Sequence, residues 1–211
     1  MKDLYLLSGL GADKRVFDFI DLSGFNVHHV NWIAPVMGES IESYAKRLLP
    51  QIVTSRPVII GISFGGMIAT EIARLIDTER VVLISSAETV TDIPRAFRMI
   101  GRSRLYRVLP PGMLKSANGF MYWLFGLTGK RDKALLKLIL FDTDTKFLLW
   151  AVDAIAHWTN RSRLSNVVRI HGSADRILPM RKAEYVVQNG GHLMIVNKAA
   201  EVSNLIKKIL A

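Results

Sequence analysis

PVIIGISFGG, at residues 57–66, is the most informative stretch of the chain. Its β-branched first half, Pro57 to Ile62, predicts a short buried strand. The glycines predict a turn from Gly61 to Gly66, and isoleucine at every fourth position predicts a helix from Met67 to Ile76. A strand, a tight turn and a helix in this order are typical of a parallel sheet that is covered by helices.

Five further strands are predicted around this stretch, at Lys2–Ser8, Asn26–Trp32, Arg80–Ser85, Asn166–Ile170 and Glu184–Gln188. Helices are predicted over Ser40–Val53, with Glu39 or Ser40 as the N-cap, and over Glu201–Leu210. The alternation stops between Val90 and Asn160, where we find helical periods and no convincing strand. We therefore predict an α/β fold with a reduced, mostly parallel sheet of about six strands, helices on both faces and a helical insertion.

The insertion defines the predicted domain organisation. Residues 1–88 and 166–211 are expected to form the core domain, and residues 89–165 a helical lid. The lid segment is rich in bulky apolar side chains, among them Met113, Phe120, Trp123 and Phe125. It also carries 13 Lys and Arg against 5 Asp and Glu, and so holds most of the net charge of +10. Such a surface can attract nucleic acid, anionic lipid or an anionic substrate, or it can be solvated without a specific partner.

Composition is that of an ordinary globular protein. The chain has 211 residues, half of them hydrophobic, which suffices for one domain with an insertion. The absence of cysteine excludes disulfides and thiolate chemistry. The N-terminus does not have the pattern of a signal peptide, and the apolar stretch from Pro57 to Thr70, about 14 residues, is too short to span a bilayer. We expect a cytoplasmic protein.

Residues 61–65, Gly-Ile-Ser-Phe-Gly, match the pattern G-x-S-x-G. The pattern alone is weak, because a random chain of this length would contain it with a probability of roughly one in fifteen. Its position between a buried strand and a helix is that of a nucleophile elbow. We expect Ser63 to have a strained backbone, with neighbouring side chains excluded at Gly61 and Gly65. The alternative is an ordinary glycine turn or a phosphate-binding loop, although the lysine of a P-loop is missing.

A serine nucleophile needs a base, and the base needs a carboxylate to orient it. Asp175 follows the strand Asn166–Ile170, and His192 follows the last strand in a loop with two glycines. This chain order of Ser, Asp and His is the one that such an elbow requires. Four other carboxylates are weaker candidates for the acid, one at a helix end and three in the insertion: Asp77, Asp142, Asp144 and Asp153.

The other histidines have structural interpretations. His28 and His29 are predicted on a strand, at the surface. His157 is expected to line a pocket or the core of the insertion, and His171 to make hydrogen bonds beside the acid. The oxyanion hole is predicted to use the backbone N–H groups of Phe64, which follows the nucleophile, and of Leu10, in the loop after the first strand.

Together these residues resemble the α/β-hydrolase superfamily over the whole chain. The matching features are the loop Ser8–Gly11, the elbow, residues His171 to Pro179 around the acid, and Gly191-His192. The resemblance implies a lid and an ester, thioester, lactone or related acyl substrate. Two departures stand out. Ser8 replaces the usual histidine of the first loop, and only 16 residues separate Asp175 from His192, where relatives usually have a helix. We expect a sheet that is trimmed at its edge and lacks the early strands of larger members.

The predicted function is that of a serine hydrolase acting through an acyl-enzyme, without a metal or cofactor. The alternatives are a lyase, C–C bond hydrolase or peroxidase on the same fold, or a ligand-binding protein with weak or no turnover. The expected partner is a small acyl substrate, apolar with an anionic group, such as a lysophospholipid or an acyl-CoA. Nucleic acid is not expected as a partner, and the basic lid is a candidate for peripheral contact with an anionic membrane.

Overall fold

The structure, a computed structural model, describes residues 1–108, 110, 112 and 115–211. Its centre is a six-stranded sheet of β1 Asp3–Leu7, β2 Asn26–His29, β3 Val58–Ile62, β4 Arg80–Ile84, β5 Val167–Gly172 and β6 Tyr185–Val187. The strand order is β2-β1-β3-β4-β5-β6, and each neighbouring pair is parallel. The predicted α/β fold with about six strands is confirmed, and every pairing is parallel rather than most of them.

The described helices are α1 Ile41–Leu48, α2 Phe64–Ala73, α3 Arg95–Ser103, α4 Gly119–Phe125, α5 Lys130–Asp142, α6 Thr145–His157, α7 Met194–Asn197 and α8 Ala199–Leu210. Ser40 is the N-cap of α1, because its side chain accepts a hydrogen bond from the backbone N–H of Ser43. Among the described helices, none is long and apolar enough to cross a bilayer. Met113, one of the bulky apolar residues of the predicted lid, lies outside the described residues.

Alternating side chains of the strands bury both faces of the sheet. Leu4, Leu6 and Ile60 point to one face, where they pack with α8 and the turn around Phe17. Tyr5 and Ile59 point to the other face, where α1 and α2 cover them. Burial on both sides explains why these strands are nearly continuous apolar runs.

Several element boundaries differ from the predicted ones. The helix after Ser63 begins at Phe64 rather than Met67, because two glycines fit into its first turn where larger residues would not. The helix from Ser40 ends at Leu48 and continues only as a 3₁₀ turn over Leu49–Gln51, since Pro50 has no N–H to donate to the carbonyl oxygen four residues earlier. The edge strand β2 stops at His29, three residues early.

The C-terminal third differs in similar details. β5 extends to Gly172, two residues further than predicted, and the short helix α7 was not foreseen. The structure has no helix between Asp175 and His192, only β6 and turns, as the short spacing predicts. Along the sequence, the acid candidate Asp175 therefore precedes the edge strand β6, and the base candidate His192 follows it.

The segment between β4 and β5 holds α3 to α6, and its described residues form no strand. Two indole N–H groups, one in α6 and one on the residue that follows it, attach this helix to the sheet domain. Trp150 donates to the carbonyl oxygen of Glu39 and Trp158 to the buried carboxylate of Glu71, each at 2.8 Å. One face of α6 is thus part of the core under the insertion. The domain boundaries at residues 89 and 165 remain predictions. The function of this segment as a lid remains a prediction as well.

Candidate active site

Ser63 lies in the sharp turn between β3 and α2. Its backbone has φ of +50° and ψ of −119°, a region that is costly for any residue with a side chain. Hydrogen bonds to the backbone of Ser63 hold the turn. The N–H of Ser63 donates to the carbonyl oxygen of Ile84 at 3.0 Å, and its carbonyl oxygen accepts from Ser86 Oγ at 2.5 Å and from Gly66 N at 3.0 Å. The end of β4 therefore helps to keep Ser63 strained.

Gly61 and Gly65 leave the space that this turn needs. A Cβ atom at position 61 would stand 2.5 Å from the carbonyl oxygen of Gly65, and one at position 65 would collide with the carbonyl oxygens of Leu7 and Ser8. Both obstacles are backbone atoms, which cannot move aside as a side chain can. The predicted exclusion of side chains at these two positions is confirmed.

A chain of short contacts runs from Ser63 to Asp175. Ser63 Oγ lies 2.8 Å from His192 Nε2, and His192 Nδ1 lies 2.8 Å from Asp175 Oδ2. His192 and Asp175 are buried, while Ser63 is partly exposed. Since a carboxylate can only accept, His192 carries its proton on Nδ1 and offers the Nε2 lone pair to the serine hydroxyl. The structure brings the three predicted residues together in the order a base-activated serine requires.

Asp175 is a buried carboxylate whose two oxygens are surrounded by donors. Oδ1 accepts from the backbone N–H groups of Ile177 and Leu178, each at 2.9 Å. Burial by itself raises the pKa of Asp175. The charge of His192 and the hydrogen bonds from His171, His192 and Leu178 outweigh it, so the pKa lies well below its usual value. Asp175 therefore stays ionised beside the imidazole.

His171 contributes more to this site than the sequence indicates. Its Nε2 lies 2.7 Å from the carbonyl oxygen of Leu178 and 3.2 Å from Asp175 Oδ2. With two oxygens facing it, Nε2 fits as the protonated nitrogen. His171 thus ties the loop after β5 to the acid. The prediction of a hydrogen-bonding residue beside the acid is confirmed, and its direct approach to the carboxylate was not foreseen.

The remaining histidines are outside the site. His28 and His29 lie on the edge strand β2, and His28 is hydrogen-bonded to Asp3 at 2.8 Å. The expectation that His157 lines a pocket or the core of the insertion is wrong. His157 ends α6 and is exposed, because its Nδ1 turns back to the carbonyl oxygen of Asp153 in the last turn of the helix.

Leu10 and Phe64 line the same cavity as Ser63. Phe64 is the first residue of α2, so its N–H points out of the helix start with the positive end of the helix dipole. Gly9, in the same loop as Leu10, is a neighbour of Ser63, since a Cβ there would be in ordinary contact with the serine Cβ at 3.5 Å. Within the part of the chain that the structure describes, neither the Leu10 nor the Phe64 N–H has a protein acceptor. Both are available to a bound group.

The loop that carries Leu10 is held by Ser8. Ser8 Oγ donates to the carbonyl oxygen of Ala12 at 2.7 Å and accepts from Trp32 Nε1 at 3.0 Å. The hydroxyl therefore closes the loop on itself and joins it to the chain after β2. Nothing in the sequence pointed to Trp32 as its partner.

A cavity of about 380 Å³ opens onto Ser63 and His192. Its walls come from the sheet domain and the insertion together, with Leu10, Met67, Phe97, Ile100, Met121, Phe125, Leu148 and Val152 among the lining residues. Among the described lining residues, only Ser63, His192 and Tyr106 have polar side chains, and the Tyr106 hydroxyl is 3.2 Å from Asp153. The volume suits a small ligand, and the walls favour an apolar, uncharged one.

A parallel sheet with a strained serine after its central strand and a Ser-His-Asp contact chain defines the class of α/β-hydrolase folds. The model of the alpha/beta hydrolase family matches residues 4–205, and the chain belongs to this family. No curated protein sequence matches the chain.

Three solved structures illustrate the similarity. A hydrolase from Pseudomonas aeruginosa PA01 superposes with a TM-score of 0.80 at 17% identity, covering 100% of this chain and 90% of that one. An esterase from Exiguobacterium antarcticum has a TM-score of 0.76 at 14% identity, with 100% and 92% covered. A bromoperoxidase from Bacillus anthracis has a TM-score of 0.73 at 16% identity, with 99% and 91% covered. At these identities the similarity shows a shared fold.

Proposed function

We propose that this protein is a serine hydrolase that cleaves carboxylic esters or thioesters of apolar acyl groups. The observation that carries the proposal is the contact chain of Ser63, His192 and Asp175, with 2.8 Å at each step, at the floor of an apolar cavity. A hydroxyl is a weak nucleophile until a base removes its proton, and this geometry supplies the base and its orienting carboxylate.

The first half of the proposed reaction forms an acyl-enzyme. His192 Nε2 takes the hydroxyl proton while Ser63 Oγ attacks the substrate carbonyl carbon. The resulting oxyanion accepts hydrogen bonds from the N–H groups of Leu10 and Phe64, interactions of a kind that each contribute about 3–4 kcal/mol to transition-state stabilisation in well-studied hydrolases. His192 then protonates the leaving alcohol or thiol as its bond to the acyl carbon breaks.

The second half regenerates the enzyme. Water enters the site of the leaving group, gives a proton to His192 and attacks the acyl carbon. The tetrahedral intermediate collapses, His192 returns the proton to Ser63 Oγ, and the carboxylic acid leaves. Asp175 remains charged throughout and stabilises the imidazolium that forms in each half. The apolar walls accommodate the acyl chain and strengthen the electrostatic interactions at the reacting carbonyl.

Replacing Ser63 tests the proposal. We expect Ser63→Ala to lower kcat/KM for a short p-nitrophenyl ester by about 10³-fold or more while the protein stays folded. A fluorophosphonate probe should label the natural protein at Ser63, as mapped by peptide mass spectrometry, and should not label the variant. Ser43→Ala, an exposed serine in α1, is the matched control and should behave as the natural protein.

Three results would contradict the proposal. Turnover retained in purified Ser63→Ala would remove the serine from the chemistry. If the natural protein is folded but neither reacts with the probe nor turns over any ester, it is instead a ligand-binding protein whose Ser63, His192 and Asp175 are not catalytic. Activity of a different kind, such as halide peroxidation, lyase or C–C cleavage, with label at Ser63 would keep the site and change the reaction.

A further inference from the structure

Exposed apolar side chains are concentrated on the helical segment around the cavity. Of the sixteen large hydrophobic residues that are exposed in the described parts of the chain, nine lie between Phe97 and Phe141. Met99 and Ile100 of α3 are 71% and 59% exposed, and Trp123 of α4 is 55% exposed. Single exposed apolar residues are normal in a globular protein, but a concentration of this kind marks an interaction surface.

The same helical segment is strongly basic. The charged residues of α3 are Arg95, Arg98 and Arg102, and none of the three has a carboxylate partner among the described residues. Arg98 Nε is buried without a hydrogen-bond acceptor there. Burial, followed by the charges of Arg102, Arg161 and Arg95, lowers the pKa of Arg98. Arg102 Nε donates to the carbonyl oxygen of Ala156 at 3.0 Å, and the three guanidinium groups together favour an anion from outside the chain.

Two of the exposed apolar residues also belong to the cavity. Phe97 and Ile100 line the cavity and are also exposed, so this face of α3 forms part of the rim. On α4, Phe125 lines the cavity while Trp123 faces solvent, with the guanidinium of Arg176 4.6 Å from the indole ring. An indole beside a cation is a side-chain pair suited to the headgroup region of a bilayer.

We propose that this rim binds the surface of an anionic lipid bilayer, so that the cavity opens towards the acyl chains of the membrane. The docking surface consists of Arg95, Arg98, Met99, Ile100, Arg102, Leu105, Val108, Phe120 and Trp123. Apolar side chains enter the region between headgroups and chains, and the arginines bind lipid phosphates. Binding of this surface to a bilayer does not depend on the proposed catalysis. Delivery of substrate from the bilayer to the cavity rests on the proposed function.

Charge distinguishes a bilayer from a second copy of this chain as the occupant. In a twofold dimer the same patch would face itself, which would place the arginines of α3 against those of the partner. Like charges in a dehydrated contact cost free energy, whereas an anionic bilayer offers a phosphate to each arginine.

The experiment is co-sedimentation with vesicles of phosphatidylglycerol and phosphatidylcholine, compared with vesicles of phosphatidylcholine alone. We expect binding to the anionic vesicles that weakens at high salt. Two variants should each weaken it by about tenfold or more, namely Met99→Ser/Leu105→Ser/Val108→Ser and Arg95→Gln/Arg98→Gln. Their matched controls, Val36→Ser/Met37→Ser/Val53→Ser and Lys46→Gln/Lys182→Gln, change similarly exposed residues elsewhere and should bind normally.

Two further measurements separate this proposal from the proposed function. Ser63→Ala should bind anionic vesicles as the natural protein does, and the Met99/Leu105/Val108 variant should keep its turnover of a short soluble ester. Equal vesicle binding by both rim variants and their controls, or no binding at all, overturns the docking surface. So does a stable dimer in sedimentation velocity that the rim variants dissociate, because the surface would then be an interface between copies.

Discussion

Asp175 shows how a charge can be kept in a buried position. Its carboxylate has a backbone N–H pair on one oxygen and two imidazoles at the other, and each of these favours the ionised form. Ionised Asp175 holds His192 in the tautomer whose Nε2 faces Ser63. One residue therefore links the conformation of the loop after β5 to the proposed reactivity of a serine that follows another strand.

Asp175→Asn should lower kcat/KM for a short ester by about 10⁴-fold, because the amide does not enforce the Nδ1–H tautomer and cannot stabilise an imidazolium.

Asp175→Asn should also change the pH dependence of stability. A carboxyl whose folded pKa lies below its usual value of 3.8 contributes stability above about pH 4 and loses it as the pH falls further. The advantage of the natural protein over the variant should therefore shrink below about pH 4 in urea titrations. An advantage that grows on acidification would contradict this account.

At the scale of elements, the nucleophile turn depends on how closely α2 packs against β1. The first turn of α2 lies against the carbonyl oxygens at the end of β1, and Ser86 after β4 donates to the carbonyl oxygen of Ser63. Three elements thus determine the backbone of one serine. Close backbone packing leaves room for glycine and for nothing larger.

Gly65→Ala should lower the free energy of unfolding by about 3 kcal/mol or more, because the new methyl group meets backbone oxygen atoms that cannot relax. Gly119→Ala is the control, at the first position of α4 with open space around it, and it should change stability by less than about 1 kcal/mol. Urea unfolding measures both. Equal stability of the two variants would show that α2 can move away from β1 at little cost.

At the scale of the whole molecule, the cavity belongs to neither part of the fold alone. The sheet domain supplies its floor, with Ser63 and His192, and the insertion supplies most of its apolar walls. Because α6 is attached to the sheet domain by Trp150 and Trp158, those walls have a defined position over the serine. Acyl-chain preference should consequently respond to substitutions in the insertion that leave the triad untouched.

Val152→Phe places a larger side chain in the wall that α6 contributes. We expect it to reduce kcat/KM for p-nitrophenyl esters of long acyl chains about tenfold more than for the acetate, since a long chain needs the volume that the ring takes. Leu138→Phe, on an exposed position of α5 outside the cavity, is the control. A uniform loss over all chain lengths would indicate that Val152 supports the fold and does not limit the chain.

Hydrophobic patterning and the spacing of a few residues were enough to predict the sheet, the elbow around Ser63 and the order of Ser63, Asp175 and His192. These features are local, since a buried strand, a glycine turn and a helix start each leave their mark on adjacent residues. The ends of helices were less predictable where glycine or proline determines them, as at the start of α2 at Phe64 and the end of α1 at Leu48.

Tertiary structure alone decided which distant groups meet. Ser63 and His192 are 129 positions apart, and only the parallel crossovers bring them within 2.8 Å. Packing between elements, which no sequence periodicity encodes, determines three further features. These are the contact of His171 with Asp175, the hydrogen bond from Ser86 to Ser63 and the exposed position of His157. The same holds for the apolar rim, because exposure is a property of the surfaces that remain after the core has formed.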